Sequence, residues 1–197
     1  LRRCRGEEEV PKEDANNLCP PKIKDLTVLN SAWAATGDAH TDTFKVFRRA
    51  QGDDEWKPAH DGLPSEMQDS IPLNEDTGDQ GTEADFAVAD STLFIRTRTY
   101  PEDDFGIYWF DEGTSKWWPM SDDGLEGQTV REIMGNGQTL MVGTDSGLFA
   151  WSDSDGSWSK IGSEFPDTSA NDYHLVTETR VAAATDSRGI ISLMLEP

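Results

Sequence analysis

Short apolar runs recur along the chain, with polar and turn-forming residues between them. The most regular runs end in threonine and occupy residues 33–36, 93–97, 140–144 and 181–185. Their nearly continuous apolar character is typical of strands that are buried on both faces. No window shows a sustained apolar period of 3.6 residues, so the pattern predicts an all-β chain.

Each threonine-anchored run lies between two further apolar runs, so the pattern predicts a repeating unit of strands. The run before it covers residues 26–29, 86–89, 130–134 and 174–176, and the run after it covers residues 44–47, 107–110, 148–151 and 190–193. In the first three units a fourth strand is built on tryptophan, at Trp56, Trp117 with Trp118, and Trp158. Glycines between the strands are expected to supply the positive φ of tight hairpins, namely Gly52, Gly137, Gly156 and Gly189.

The units repeat with a regular period. Gly106, Gly147 and Gly189 stand at the start of the third strand of successive units, 41 and 42 residues apart. A period of about 40–50 residues with four strands per unit predicts a β-propeller, in which each unit is one blade. We therefore expect four blades in residues 25–197, preceded by an irregular segment in residues 1–24.

Two irregularities in the repeat bear on whether the blades form a closed ring. The first two threonines are 61 residues apart, and the extra length is an acidic stretch at residues 64–85 that we interpret as a surface insertion. The fourth unit ends after its third strand. Either residues 20–25 supply the missing outer strand of a compact four-bladed ring, or the blades form an arc of a larger ring. Four-bladed rings are uncommon, which favours the arc.

Acidic residues dominate the charge of the chain. The formal net charge is −21, from 38 Asp and Glu against 17 Lys and Arg, and no Lys or Arg lies between Lys57 and Arg96. Such a field repels nucleic acid and anionic lipid, so neither is expected as a partner. An excess of acidic residues of this size is expected either in a protein from a salt-rich environment or in an acidic secreted protein. No stretch approaches the roughly 20 apolar residues that span a bilayer, so no membrane insertion is expected.

The two cysteines, Cys4 and Cys19, lie in the N-terminal segment. A disulfide between them would close a small loop and stabilise the fold by about 3 kcal/mol. It would place the protein in an oxidising compartment, as a secreted, periplasmic or lumenal protein. The alternative is two unrelated free thiols.

Two pairs of residues are candidates for binding. Trp117 and Trp118 are adjacent in one strand, so alternation must turn one of the two rings outward, where it would contact a partner. Arg96 and Arg98 project to the same face of their strand and would line a central channel. Their positions equally suit the neutralisation of neighbouring carboxylates.

Metal and catalytic sites have little support in the sequence. The acidic turns at residues 122–124 and 153–156 offer at most a weak calcium site, because neither has the ligand spacing of an EF-hand loop. The sequence contains no phosphate-binding loop and no nucleophile elbow. We therefore expect no cofactor, no metal and no catalytic residue.

Short motifs between the blades resemble those of a known family. Residues 61–63 and 123–125 both have the sequence Asp-Gly-Leu after a tryptophan strand, and residues 143–148 have the form Gly-Thr-x-x-Gly-Leu. These motifs resemble the repeats of two-component-regulator-type propellers and, more loosely, the repeats of sialidase-like (Asp-box) and photosystem-assembly propellers. Residues 152–158 only approximate the Asp-box pattern, because their Asp–Gly spacing differs.

The resemblance implies an extracytoplasmic sensor, scaffold or assembly module and nothing catalytic by itself. We expect a non-catalytic propeller that binds a protein partner or belongs to a larger assembly. The alternative is a glycan-binding or glycan-processing, sialidase-like propeller, in which arginines would hold a carboxylate and tryptophan rings would stack on sugars. A weaker hypothesis is that the acidic stretch docks a basic protein.

Overall fold

The computed structural model describes residues 22–37, 44–64, 83–99, 104–162, 170–177, 179–185 and 189–195. Within these residues the chain forms fifteen strands and no helix, so it contains no helix that could span a membrane. The all-β prediction is confirmed. Cys4 and Cys19, and most of the acidic stretch at residues 64–85, lie outside the described residues.

The strands form four antiparallel sheets, and each sheet is built from strands that follow one another along the chain. The first sheet contains β1 (Lys22–Leu29), β2 (Ser31–Gly37), β3 (Phe44–Ala50) and β4 (Lys57–Pro58). The second contains β5 (Glu83–Ala89), β6 (Thr92–Thr99), β7 (Asp104–Asp111) and β8 (Lys116–Pro119). The third contains β9 (Val130–Gly135), β10 (Leu140–Thr144), β11 (Gly147–Ser152) and β12 (Ser157–Ile161). The fourth contains β13 (Ala170–Thr177), β14 (Arg180–Thr185) and β15 (Gly189–Met194).

The four anchor threonines occupy equivalent positions, which confirms the repeat. Each lies on the second strand of its sheet, and the residues opposite them on the third strand are Lys45, Gly106, Gly147 and Gly189. The hydroxyls of Thr97 and Thr144 donate hydrogen bonds to the carbonyls of the opposing glycines, at 3.3 and 3.0 Å. The predicted positive φ is present at Gly52, Gly137, Gly156 and Gly189.

Consecutive sheets pack face to face around their first strands. β1 lies against β5, β5 against β9, and β9 against β13, so the first strands are the innermost strands of the arrangement. A separate apolar cluster fills each of the three interfaces between consecutive sheets. Four radially packed sheets of this kind are blades of a β-propeller.

The first and fourth sheets share no comparable packing among the described strands, so these strands form an open arc. Residues 22–25 do not supply the missing outer strand of the fourth sheet. Residues 22–25 belong to β1 and pair with β2 inside the first sheet. The innermost strand therefore begins before residue 25, the predicted start of the repeats.

A loop after the first sheet fastens that sheet to the second. The loop comprises residues 61–63. Its Asp61 carbonyl accepts a 2.8 Å hydrogen bond from the backbone N–H of Trp117 on β8. The indole Nε1 of Trp117 donates a 2.7 Å hydrogen bond to the Ala59 carbonyl. Leu63 is buried in the apolar cluster between the two sheets.

The loop after the second sheet, residues 123–125, makes the same contacts with the third. The Asp123 carbonyl accepts a 2.8 Å hydrogen bond from Trp158 N, and Trp158 Nε1 donates to the Ser121 carbonyl at 2.9 Å. Leu125 is buried in the second cluster, as Leu63 is in the first. We call residues 61–63 and 123–125 the latch loops.

Candidate functional site

The two adjacent tryptophans of β8 point to opposite sides of the second sheet. Trp117 is buried against the first sheet, with its ring 5.7 Å from that of Trp33 and 5.1 Å from that of Phe110. Trp118 is 46% exposed. The structure therefore makes Trp117 a core residue and leaves Trp118 as the ring that a partner can reach.

Trp118 does not stand alone on this surface. It lies directly opposite Trp109 of β7, which is 37% exposed. Opposite residues of an antiparallel pair project to the same side with their Cβ atoms roughly 5 Å apart. We call Trp109 and Trp118 the tryptophan pair. It lies on the face of the second sheet that is turned toward the third sheet, on the two outer strands.

Carboxylates surround the tryptophan pair in the sequence. Residues 104–127 contain six Asp or Glu and a single Lys. Asp111 is on β7 two residues after Trp109, so its side chain projects to the same face. A hydrogen bond from the Thr114 hydroxyl, followed by one from the Gly113 amide, holds the pKa of Asp111 below its usual range. The carboxylate is therefore ionised at neutral pH.

Arg96 is buried between the second and third sheets. Its Nε donates a 2.9 Å hydrogen bond to Asp85 of β5, and its Nη2 forms an ion pair with the same carboxylate. Its Nη1 donates to the Val130 carbonyl of β9 at 3.2 Å. Arg96 is thus neutralised by a neighbouring acid and ties two blades together, which leaves it unable to hold a ligand at the surface.

Arg98 is also buried, and its charge acts on a nearby ion pair. Arg131 of β9 donates from Nε to Asp145 at 2.7 Å. Burial alone would raise the pKa of Asp145, but the hydrogen bonds from Arg131 and Thr129 and the charges of Arg131 and Arg98 outweigh burial and lower the pKa. Both arginines that the sequence offers as channel residues are therefore buried between sheets, where Arg96 pairs with Asp85 and the charge of Arg98 favours ionised Asp145.

Tyr173 makes a further polar contact between two sheets. Its hydroxyl donates a 2.7 Å hydrogen bond to the Thr144 carbonyl, so it links the fourth sheet to the third. Burial, and then the negative charge of Asp145, raise the pKa of Tyr173 to about 12. The ring lies over Gly143, where a Cβ would come within 2.1 Å of the ring.

The acidic turns lie in the described part of the chain, where no group of three or more His, Cys, Asp or Glu side chains is placed to hold a metal ion. Asp155 accepts a hydrogen bond from the Ser152 hydroxyl at 2.7 Å. In the other turn, the Asp123 carbonyl belongs to a latch loop. The Asp155 carboxylate and the Asp123 backbone therefore each have a structural role.

Trp109 is the site residue that sequence reasoning missed. The strand containing it was predicted, but its pairing with Trp118 depends on the register between β7 and β8. The signal was the turn at residues 111–115, whose length fixes that register. The burial of Arg96 and Arg98 depends on the packing between sheets, which no local pattern encodes.

Comparisons with known proteins bear on the fold. No protein-family model matches the chain, and no curated protein matches it. The structure of YCF48 bound to D1 peptide is similar, with a TM-score of 0.52 and 12% identity over 89% of this chain and 51% of that one. This chain thus spans about half the length of YCF48.

Two structures of an extracellular domain from B. thetaiotaomicron BT4673 are weaker matches. The first, assigned to a hybrid two component system, has a TM-score of 0.49 and 17% identity over 96% of this chain and 24% of that one. The second, assigned to a one component system, has a TM-score of 0.43 and 13% identity over 94% and 28%. At these identities likeness shows the fold alone, and the chain has the β-propeller fold of YCF48.

Proposed function

We propose that this chain is a non-catalytic, extracytoplasmic propeller module that binds a protein partner, with the tryptophan pair as the contact surface. The observation that carries this proposal is the exposure of two large aromatic rings side by side on one sheet. Tryptophan is enriched in protein interfaces and among the residues that contribute most to binding. Most other tryptophans of the repeat are packed between sheets.

The surroundings of the tryptophan pair favour a basic partner. The ionised Asp111 projects to the same face, and the chain as a whole carries a net charge of −21. An Arg or Lys of a partner placed over an indole ring would gain a cation–π interaction of about 0.5–2 kcal/mol. The surrounding carboxylates would also accelerate its encounter. We therefore propose an extended, Arg- or Lys-containing peptide segment as the ligand.

The extracytoplasmic location is supported by the sequence alone. The predicted disulfide between Cys4 and Cys19 requires an oxidising compartment. The similar YCF48 structure contains a bound peptide, which supports peptide binding by a propeller of this kind.

The burial of Arg96 and Arg98 disfavours the glycan-processing alternative. That chemistry needs arginines that reach a substrate carboxylate, whereas Arg96 is engaged by Asp85 and by a backbone carbonyl. Stacking of a sugar on the tryptophan pair remains the competing use of the same surface, and it is therefore included in the test.

The proposal is tested by presenting the purified chain to an array of basic, acidic and uncharged peptides and to a glycan array. Basic peptides are expected to bind, with an affinity that falls as salt increases. In fluorescence-anisotropy titrations with a bound peptide, Trp118→Ala is expected to weaken binding about tenfold. The matched variant Trp118→Phe keeps an aromatic ring and should retain most of the affinity. Equal affinity of Trp118→Ala and wild type, or binding to glycans alone, would contradict the proposal.

A further inference from the structure

Arg48 of β3 places its guanidinium group in the cleft between the first and second sheets, which we call the first cleft. The guanidinium carbon lies 5.1 Å from the centroid of the Trp33 ring and 5.5 Å from that of Phe110 on the second sheet. Its Nε donates a 3.0 Å hydrogen bond to the Ser31 hydroxyl, and its Nη2 forms a 2.5 Å ion pair with Glu112 of the second sheet. The chain thus shows how one of its own clefts holds an arginine.

The cleft between the second and third sheets, which we call the second cleft, repeats the structure of the first. In both clefts a latch loop contacts the buried tryptophan of the fourth strand, and that tryptophan packs edge-on against an aromatic ring of the third strand. The ring centroids are 5.1 Å apart for Phe110 with Trp117 and 5.3 Å apart for Trp151 with Trp158. The turn after the third strand has four residues in both sheets. Positions in the two clefts can therefore be matched one to one.

Each group that holds Arg48 has a counterpart of the same chemistry in the second cleft. Positions are counted from the anchor threonine on the second strand, and from the residue opposite that threonine on the third strand. By this count both clefts contain a hydroxyl, two aromatic rings and a carboxylate. The counterparts of Ser31, Trp33, Phe110 and Glu112 are Thr92, Phe94, Trp151 and Asp153.

The arginine itself has no counterpart. Trp33 lies directly opposite Arg48, and its counterpart Phe94 lies directly opposite Trp109. Trp109 thus occupies the place of the arginine but carries no charge, and its ring is partly exposed. The second cleft therefore contains the groups that bind an arginine without an arginine of its own.

The carboxylate of Asp153 is open to a partner. Its side chain is exposed, and no Lys or Arg among the described residues forms an ion pair with it. It accepts a 2.7 Å hydrogen bond from the indole Nε1 of Trp151, which holds it beside that ring. No described Lys or Arg lies over the Trp151 ring either. A carboxylate with one such bond can accept further hydrogen bonds from a cation.

We infer that the second cleft binds an arginine of the partner, with the guanidinium on the Trp151 ring and paired with Asp153. This inference rests on the proposed function and specifies which basic residue the peptide must carry. The tryptophan pair lines the same cleft, so it would contact the apolar stem of that arginine. Arginine is expected rather than lysine, because a planar guanidinium can stack on a ring and pair with a carboxylate at the same time.

Fluorescence-anisotropy titrations test the inference with a basic peptide that binds the chain. Replacing the arginine of the peptide by lysine should weaken binding, and replacing it by citrulline, which keeps the shape without the charge, should weaken binding about tenfold. Asp153→Asn keeps an oxygen that can accept the Trp151 N–H but removes the charge. It should weaken binding of the arginine peptide about tenfold and leave binding of the citrulline peptide unchanged.

The matched control is Asp54→Asn, which removes the same charge from an exposed position of the first sheet and should change the affinity little. Because both side chains are exposed, both variants should keep the wild-type circular dichroism spectrum. If Trp118→Ala weakens binding but Asp153→Asn does not, the chain binds peptides and the arginine site is wrong. Equal affinity for the arginine and citrulline peptides would also overturn the arginine site. Failure of every basic peptide to bind would overturn both proposals.

Discussion

At the scale of single residues, Tyr173 gives a test that depends on pH. Its pKa of about 12 in the folded chain exceeds the value of about 10 in an unfolded chain. Its contribution to stability is therefore complete below pH 10 and is lost as the pH rises toward 12. Tyr173→Phe removes the hydrogen bond to the Thr144 carbonyl and should lower the free energy of unfolding by about 1 kcal/mol near neutral pH.

The same substitution should also reduce the decline in stability between about pH 10 and pH 12. Urea unfolding followed by tryptophan fluorescence at a series of pH values measures both effects. If the alkaline decline is as steep in Tyr173→Phe as in the wild type, other groups cause it.

Single residues also show how far sequence reasoning reaches. Alternation along β8 was enough to predict that one of Trp117 and Trp118 faces outward, because side-chain direction in a strand is a local property. Whether an arginine is buried, as Arg96 is, or exposed is not determined by the local sequence. The burial of Arg96 depends on its contacts with Asp85 across the strand pair and with β9 in the next sheet.

At the scale of structural elements, the latch loops give a prediction with a matched control. Gly124 has φ +92°, and a Cβ on it would lie 2.1 Å from the Trp158 carbonyl oxygen. Gly137 has the same φ, but nothing lies within 4 Å of the position that its Cβ would take. Gly137→Ala should therefore cost about 1–2 kcal/mol for the left-handed backbone alone. Gly124→Ala should cost more, because the loop must also move away from β12.

Gly62→Ala tests whether the two latch loops are equivalent, since its φ of +93° and its 2.1 Å approach to the Trp117 carbonyl oxygen match those of Gly124. Thermal unfolding of the three variants gives the comparison. Equal losses for Gly124→Ala and Gly137→Ala would mean that the close approach to β12 adds no stability.

The strands themselves were largely predictable, whereas the role of the latch loops was not. Residues 140–144 were predicted as a threonine-anchored strand, and β10 has those bounds. Each unit is a local hairpin arrangement, so its apolar pattern and turn glycines determine it. The Asp-Gly-Leu motifs were visible as motifs, but their contacts join residues about 35 to 55 positions apart in sequence, such as Asp61 and Trp117.

At the scale of the whole molecule, the order of strands and the repeat followed from the sequence, and the open arc followed from the packing. The sequence left the ring and the arc as alternatives because both have the same four units. Among the described strands the arrangement is open, since Val28 and Ile190, at opposite ends, are both exposed. Whether the blades close into a ring is a property of the complete array, and the sequence of a single unit does not determine it.

Net charge should make the stability of the folded chain rise with salt. The described exposed ion pairs, such as Arg48 with Glu112 and Lys57 with Asp53, contribute little to stability and weaken on screening. The repulsion among the excess acids, from a net charge of −21, also weakens on screening, and it acts over the whole surface. The buried contact of Arg96 with Asp85 is little screened and should not change.

At the surface, the repulsion among acidic residues outweighs the attraction within ion pairs, because the chain has 38 Asp and Glu and only 17 Lys and Arg. The free energy of unfolding should therefore increase between about 0.1 M and about 1 M NaCl. The measurement is urea unfolding of the chain at low protein concentration. A decrease in stability with salt would show that local ion pairs outweigh the net charge. The acidity would then be a poor explanation for any preference of this propeller for a salt-rich setting.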